Sequence, residues 1–228
     1  MLADGIDPVR LNDIRGEAEK LEKFGLYTAA KRVKGMIASI CGDVKEIDKQ
    51  FNAALLNSGR DIVVLLNYAT ALGNIHHHTR CVEVADEAVS DAPDDLLVLD
   101  TAIQLQMDAY NVDRVRSIQE QLEKLGRRKM NPIFYAKLDA IDDILSKAGA
   151  TWNQISARIE LVADTLREQG LPHTMFSEAL SEGVILYEFV LHADIATVIA
   201  AEKAVQQAIA DKPFSPADRA IAFSCAPA

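Results

Sequence analysis

Apolar residues along most of this chain recur at the three- and four-residue spacing of an amphipathic helix, and only near its C-terminal end do they alternate. From Ile62 they fall at Leu65, Tyr68, Ala69 and Leu72, which places them on one face of a helix. Gly73 and Asn74 weaken that helix. A second run follows in Cys81, Val84, Ala85, Ala88 and Val89 and stops at Pro93, whose ring cannot continue a helix and which restricts Ala92 before it. Ala69, Cys81, Ala85 and Ala88 are small, so two antiparallel helices joined by a short turn can approach closely there. The stretch from Asp61 to Asp95 is therefore expected to be a helical hairpin.

The same spacing continues on both sides. Asp7-Pro8 reads as a helix start, Asp as cap and Pro in the first turn, with Leu11, Ile14, Ala18 and Leu21 on one face up to about Lys23. Gly25, Tyr27 and Ala30 then look like a turn and the start of a further helix, half a period out of register with the hairpin. Helices spaced about 17 residues apart satisfy either pairing, because in a stack each packs on both neighbours, and roughly seven of them fit before residue 130. Asn131-Pro132 is a turn signal that opens a second part. There, Ile133 to Lys147 and Thr151 to Glu168 read as a helical hairpin ended by Gly170-Leu171-Pro172, with Thr151 as cap and Trp152, Ile155, Ile159, Val162 and Leu166 as its stripe.

After Gly183 the residues VILYEFVLH put Ile185, Tyr187, Phe189 and Leu191 on one side of a pleat, so a strand buried on at least one face is expected. Asp194 is expected to cap a helix to about Asp211, with Ile195, Val198, Ile199, Val205 and Ile209 toward a core. Residues 219 to 225, RAIAFSC, read as a second short strand, and the two strands joined through a helix suit a parallel or split βαβ unit. Two strands alone are marginal. Residues 183 to 228 thus need a helix layer from earlier in the chain or a strand from another molecule, which makes a homo-oligomer through this segment an expectation.

Residues 62 to 95 resemble the tetratricopeptide repeat (TPR), a helix-turn-helix unit of about 34 residues. With Pro93 at that family's proline near the repeat end, its small positions fall on Ala69, Cys81 and Ala88. One period back, residues 28 to 61 place Gly35 at the small position, Gly42 in the turn, and Ile47, Phe51 and Ala54 on the second helix. One period forward, residues 96 to 129 put Ile103, Val115 and Leu122 at the small positions and Arg127 at the proline, a departure from the pattern. The middle unit also departs, with His76 where glycine is usual and His78 where an aromatic is usual.

The resemblance implies a mainly α fold: an antiparallel helical-hairpin repeat array, a TPR-like superhelix, over residues 1–130. A C-terminal helical hairpin and a small β-α-β element would fill 131–228. It further implies that a peptide or helix of another protein lies in the concave face, against Arg32 and Met36, then Leu66, Asn67, Thr70 and Asn74, then Asp100, Thr101, Gln104 and Asp108. One subgroup of the family grips a C-terminal carboxylate with lysine, arginine and asparagine. Only Arg32 and Asn67 echo that set, while Leu97 and Thr101 stand where basic residues are expected. The plainer alternative is that all these are solvated helix faces.

Charge narrows the partners. With 24 basic and 34 acidic residues the 228-residue chain carries −10, which repels nucleic-acid backbones and anionic lipid surfaces. No apolar run approaches the roughly 20 residues that cross a bilayer, and MLADGIDPVR lacks a signal-peptide core, so a cytoplasmic protein is expected. The cysteines Cys41, Cys81 and Cys225 lack metal or disulfide spacing and read as reduced, mostly buried thiols.

His76-His77-His78 followed by Cys81 carries metal-ligand chemistry, but consecutive side chains diverge and no second cluster completes a set. The competing reading places His76 and His78 in a packed turn. Arg127, Arg128 and Lys129 read as cations at a helix end, Lys31, Arg32 and Lys34 as a solvated face, and Asp139, Asp142 and Asp143 as another. No nucleophile elbow, phosphate loop, zincin pair or CxxC is present, and His173 and His192 stand alone. The expectation is a non-enzymatic interaction scaffold or adaptor with no cofactor. The alternatives are a metal-dependent enzyme or regulator at the His76–His78 turn, and an antitoxin-like subunit whose acidic surface covers a basic protein.

Overall fold

A computed structural model of the chain describes residues 8–126, 132–171, 173–181 and 183–228, with backbone alone at 8 and 173–177. The protein is mainly helical with a small C-terminal sheet. It divides into two compact units, Ile6–Asp108 and Ala109–Ala228. The expected cut lay at residue 130. The division falls instead inside residues 96–129, the stretch that fits the repeat pattern least.

The first unit is built from α1 (Pro8–Lys23), α2 (Tyr27–Ile40), α3 (Val44–Ser58), α4 (Ile62–Gly73), α5 (His78–Asp91) and α6 (Leu96–Asp108). Aspartates start three of them. Asp43 accepts from the Glu46 N–H at 3.0 Å, Asp61 from Val63 N–H at 2.7 Å, and Asp95 from Leu97 N–H at 2.8 Å, each satisfying backbone donors that a helix start leaves open. Each helix packs on the next, and in addition α2 packs on α4 and α4 on α6.

The small positions allow this. Ala69, Cys81, Ala85 and Ala88 are fully buried, as are Ile47, Phe51 and Ala54. Gly35 on α2 lies so close to the Phe51 ring on α3 that a Cβ there would sit 2.4 Å from it. Phe51 in turn stacks on Tyr68, centroids 5.1 Å apart. The Tyr68 hydroxyl donates to the Asp48 carboxylate, and burial together with that bond pushes its pKa up to about 12. On α1, Ala18 is buried and Leu11 and Leu21 half-buried, but Ile14, expected on the same face, is exposed.

The second unit holds α7 (Val112–Lys124), α8 (Pro132–Ala148), α9 (Trp152–Glu168), β1 (His173–Ser181), β2 (Val184–Leu191), α10 (Ile195–Ala210), α11 (Ala217–Ala220) and β3 (Ile221–Pro227). Thr151 caps α9 in a reciprocal box with Gln154. The helices α8 and α9, expected to pair as a hairpin, pack mainly on other elements: α8 on α11, α7 and β2, and α9 on α10, α11 and β1.

The strand order is β1-β2-β3, with β1 antiparallel and β3 parallel to β2. The expected β-α-β unit is present as β2-α10-β3, and Ile185, Tyr187, Phe189 and Leu191 form the buried face. The extra strand that the sequence reading sought in another molecule comes from the chain itself: β1 was not anticipated. Ser181 stands opposite Val184, and Gly183 (φ 85°) takes the left-handed backbone that a tight reversal requires.

Two further expectations are corrected. Arg219 and Ala220 belong to the helical turn α11, so the last strand starts at Ile221 and ends at Pro227. On α10 the buried residues are Val198, Ala201 and Val205, whereas Ile195 and Ile199 are exposed. Asp194 does cap that helix, through the Thr197 N–H at 2.8 Å. Arg158 of α9, only 8% exposed, clasps the Asp218 carboxylate of α11 with two bonds of 2.6 and 2.8 Å and donates to the Pro213 carbonyl. Among the described residues no helix is long and apolar enough to cross a membrane.

Candidate functional site

The residues singled out for partner binding lie on α2, α4 and α6 of the first unit, apart from Asn74, which caps the end of α4, and these helices are adjacent. Ser39, buried on α2, donates its hydroxyl to the Ala71 carbonyl of α4 at 2.9 Å, which ties the first two together. Arg32 and Met36 are half-buried, and the Arg32 Nε has no hydrogen-bond partner. Leu66, at 7% exposure, belongs to the core. Asn67 and Thr70 are half-buried and bonded back to their own helix, Asn67 Nδ2 to the Val63 carbonyl at 2.7 Å and Thr70 Oγ1 to the Leu66 carbonyl at 2.8 Å. Asn74 is exposed; Asp100 and Thr101 are half-buried; Gln104 and Asp108 are exposed.

Apolar residues that the sequence reading left out of this set are exposed on the same helices: Ile40, Val63 at 45% and Leu97 at 64%. The spacing of about 34 residues expected from the sequence points to them. One period of about 34 residues from Asn74 reaches Ile40 and Asp108, and the same step joins Val63 to Leu97.

The histidine turn follows a different logic. His76 takes φ 58°, the left-handed conformation that glycine adopts most easily. Its ring is buried and meets the His78 ring edge-on at 5.7 Å. His78 is 2% exposed, neither ring nitrogen has a hydrogen-bond partner, and burial followed by the charge of His77 lowers its pKa to about 4. Such an imidazole is a neutral packing group at ordinary pH. Among the described residues, no group of three or more His, Cys, Asp or Glu side chains is placed to hold a metal ion.

The charge clusters resolve into ion pairs. Asp139 and Asp142 both bind Arg116, at 3.1 and 2.7 Å, and Asp143 binds Lys147 at 2.6 Å. Lys31 and Lys34 share Glu22 at 2.8 and 2.7 Å and hold its carboxyl down to about 2. The Arg127–Lys129 cluster and the Asp7 cap lie outside the described residues. Of the cysteines, Cys81 is buried and Cys225 half-buried, its thiol pushed up to about 11 by burial and then by Glu202 and Glu188, but Cys41 is exposed, against the expectation of mostly buried thiols. Set beside protein-family models, curated proteins and solved structures, the chain matches none of them.

Proposed function

We propose that the first unit is a TPR-like repeat array whose α2–α4–α6 face receives a peptide or helix of another protein, so that the chain acts as a non-enzymatic interaction scaffold. The observation that supports this reading is the packing of alternate helices, α2 on α4 and α4 on α6, which gathers equivalent positions of successive repeats onto neighbouring helices. Exposed Ile40, Val63 and Leu97 supply apolar contact, and the amides and carboxylates between them supply direction. The bonds of Asn67 and Thr70 to their own helix still leave acceptor atoms for a ligand.

The test is co-purification of the full chain with its partners, identified by mass spectrometry, followed by Arg32→Glu combined with Asn67→Ala and Gln104→Ala. Loss of the captured protein with an unchanged melting curve supports the face as the binding surface. Undiminished capture excludes it.

A further inference from the structure

A second feature of the first unit lies apart from that face. Between α1, α2 and α3 is a cavity of about 560 Å³, whose walls include the buried Ile37 and Ala38. Arg15 and Glu19 line it one helical turn apart on α1. Opposite charges at that spacing commonly pair, yet here they do not. Among the described residues Arg15 bonds only to Asn12 Oδ1 at 3.4 Å and Cys41 Sγ at 3.7 Å, neither a carboxylate, and no cation lies within ion-pair distance of Glu19. The neighbouring lysines are engaged, Lys31 and Lys34 with Glu22 and Lys49 with Glu46.

Gln50, which also lines the cavity, is 5% exposed. Its Nε2 donates to Glu46 Oε1 at 2.6 Å, and because a carboxylate only accepts, that bond fixes the amide orientation and leaves the buried Oε1 with no donor. That oxygen is closed off from solvent, so the part Gln50 plays at the cavity is to hold the Glu46 carboxylate. A purely anionic ligand would meet Glu19, Asp43 and Glu46, and a purely cationic one would meet Arg15 and the lysines. A ligand carrying both signs satisfies the lining.

We propose that this cavity binds a small zwitterion with an apolar side chain, an α-amino acid or its dipeptide. Its carboxylate pairs with Arg15, its ammonium with Glu19, and its side chain covers Ile37 and Ala38. The volume falls in the range of about 300–1,000 Å³ typical of small-molecule sites.

Isothermal titration of the full chain with L-leucine and with L-leucyl-L-leucine, each to about 10 mM, tests this. Saturable binding of either supports the proposal, and which of them binds distinguishes the free amino acid from the dipeptide. Whichever binds, its C-terminal amide and its N-acetyl derivative, each lacking one charge, should bind at least about tenfold more weakly. Arg15→Gln and Glu19→Gln, both at exposed positions, should produce the same losses with an unchanged melting curve. No saturable binding of either probe overturns the proposal. So does undiminished binding by either variant, or an N-acetyl derivative that binds as tightly as its parent.

Discussion

Replacing Gly35 by alanine probes the closest helix-to-helix contact in the first unit. The added Cβ would lie 2.4 Å from Cε2, 2.6 Å from Cδ2 and 3.0 Å from Cζ of Phe51. Carbon atoms in contact prefer about 3.5–4.0 Å, so the ring must retreat by roughly 1 Å. Its room is limited. Phe51 is fully buried and stacked on Tyr68, which is itself held by Asp48. Overpacking of this kind costs about 1–3 kcal/mol, while alanine's better helix propensity offsets about 0.5–1 kcal/mol. A net loss of about 1–2 kcal/mol is expected, read as a lower urea midpoint and as a fall in Tm of about 4–8 °C per kcal/mol for a unit of this size. In the Phe51→Leu background the same substitution should cost less, with a coupling of at least about 0.5 kcal/mol. A Gly35→Ala variant as stable as its parent, or stabilised by helix propensity alone, would refute the claim that this contact sets the spacing of α2 and α3.

Other outcomes follow from the buried polar groups and thiols. The unfolded chain protonates His78 near 6.5 while the folded protein keeps it neutral down to about 4, so stability present above pH 6.5 is lost as pH falls through that window, by up to roughly 3 kcal/mol. His78→Leu should flatten that part of a pH-dependent urea titration, and an unchanged slope would assign the effect to another group. Asp218→Ala strands the buried Arg158 and should cost about 3–5 kcal/mol by urea denaturation; a loss below about 1 kcal/mol would mean that the pair behaves as a solvated one. Iodoacetamide at pH 8 should place a single early adduct on Cys41, with Cys225 slow because of its raised pKa and Cys81 silent until unfolding. Early mass gain on a Cys81 peptide would contradict the packing of α5.

Legibility in the sequence tracked how far local pattern decides burial. The helices α2 to α5 were readable because their small and large apolar residues sit on one face, whereas the capping aspartates Asp43 and Asp61 went unread. The strand β2 was readable from strict alternation. The strand β1 was not, because HTMFSEALS mixes helix formers with serines and a glutamate, and its conformation is set by pairing with β2. Glu178 shows why: its carboxylate is held by the Tyr110 hydroxyl at 2.9 Å and by Lys137 at 3.0 Å, partners far away in sequence. The exposed Ile195 and Ile199 were misplaced for a related reason, since α10 carries apolar residues around much of its circumference and only its neighbours select the inner side. The α1 cavity left no motif at all. Arg15 and Glu19 look like an ordinary surface pair until the structure leaves them apart.

The mixed sheet gives its two edges different histories. The strand β1 meets β2 across a tight reversal, a local event of roughly 1–10 μs, whereas β3 pairs with β2 across the much longer α10 crossover. Non-local pairing must first overcome the entropy of closing that loop, so it is the slower step. Until β3 arrives, one flank of β2 presents unpaired backbone groups, and this is the interval in which the second unit is most open to strand exchange with a neighbouring molecule.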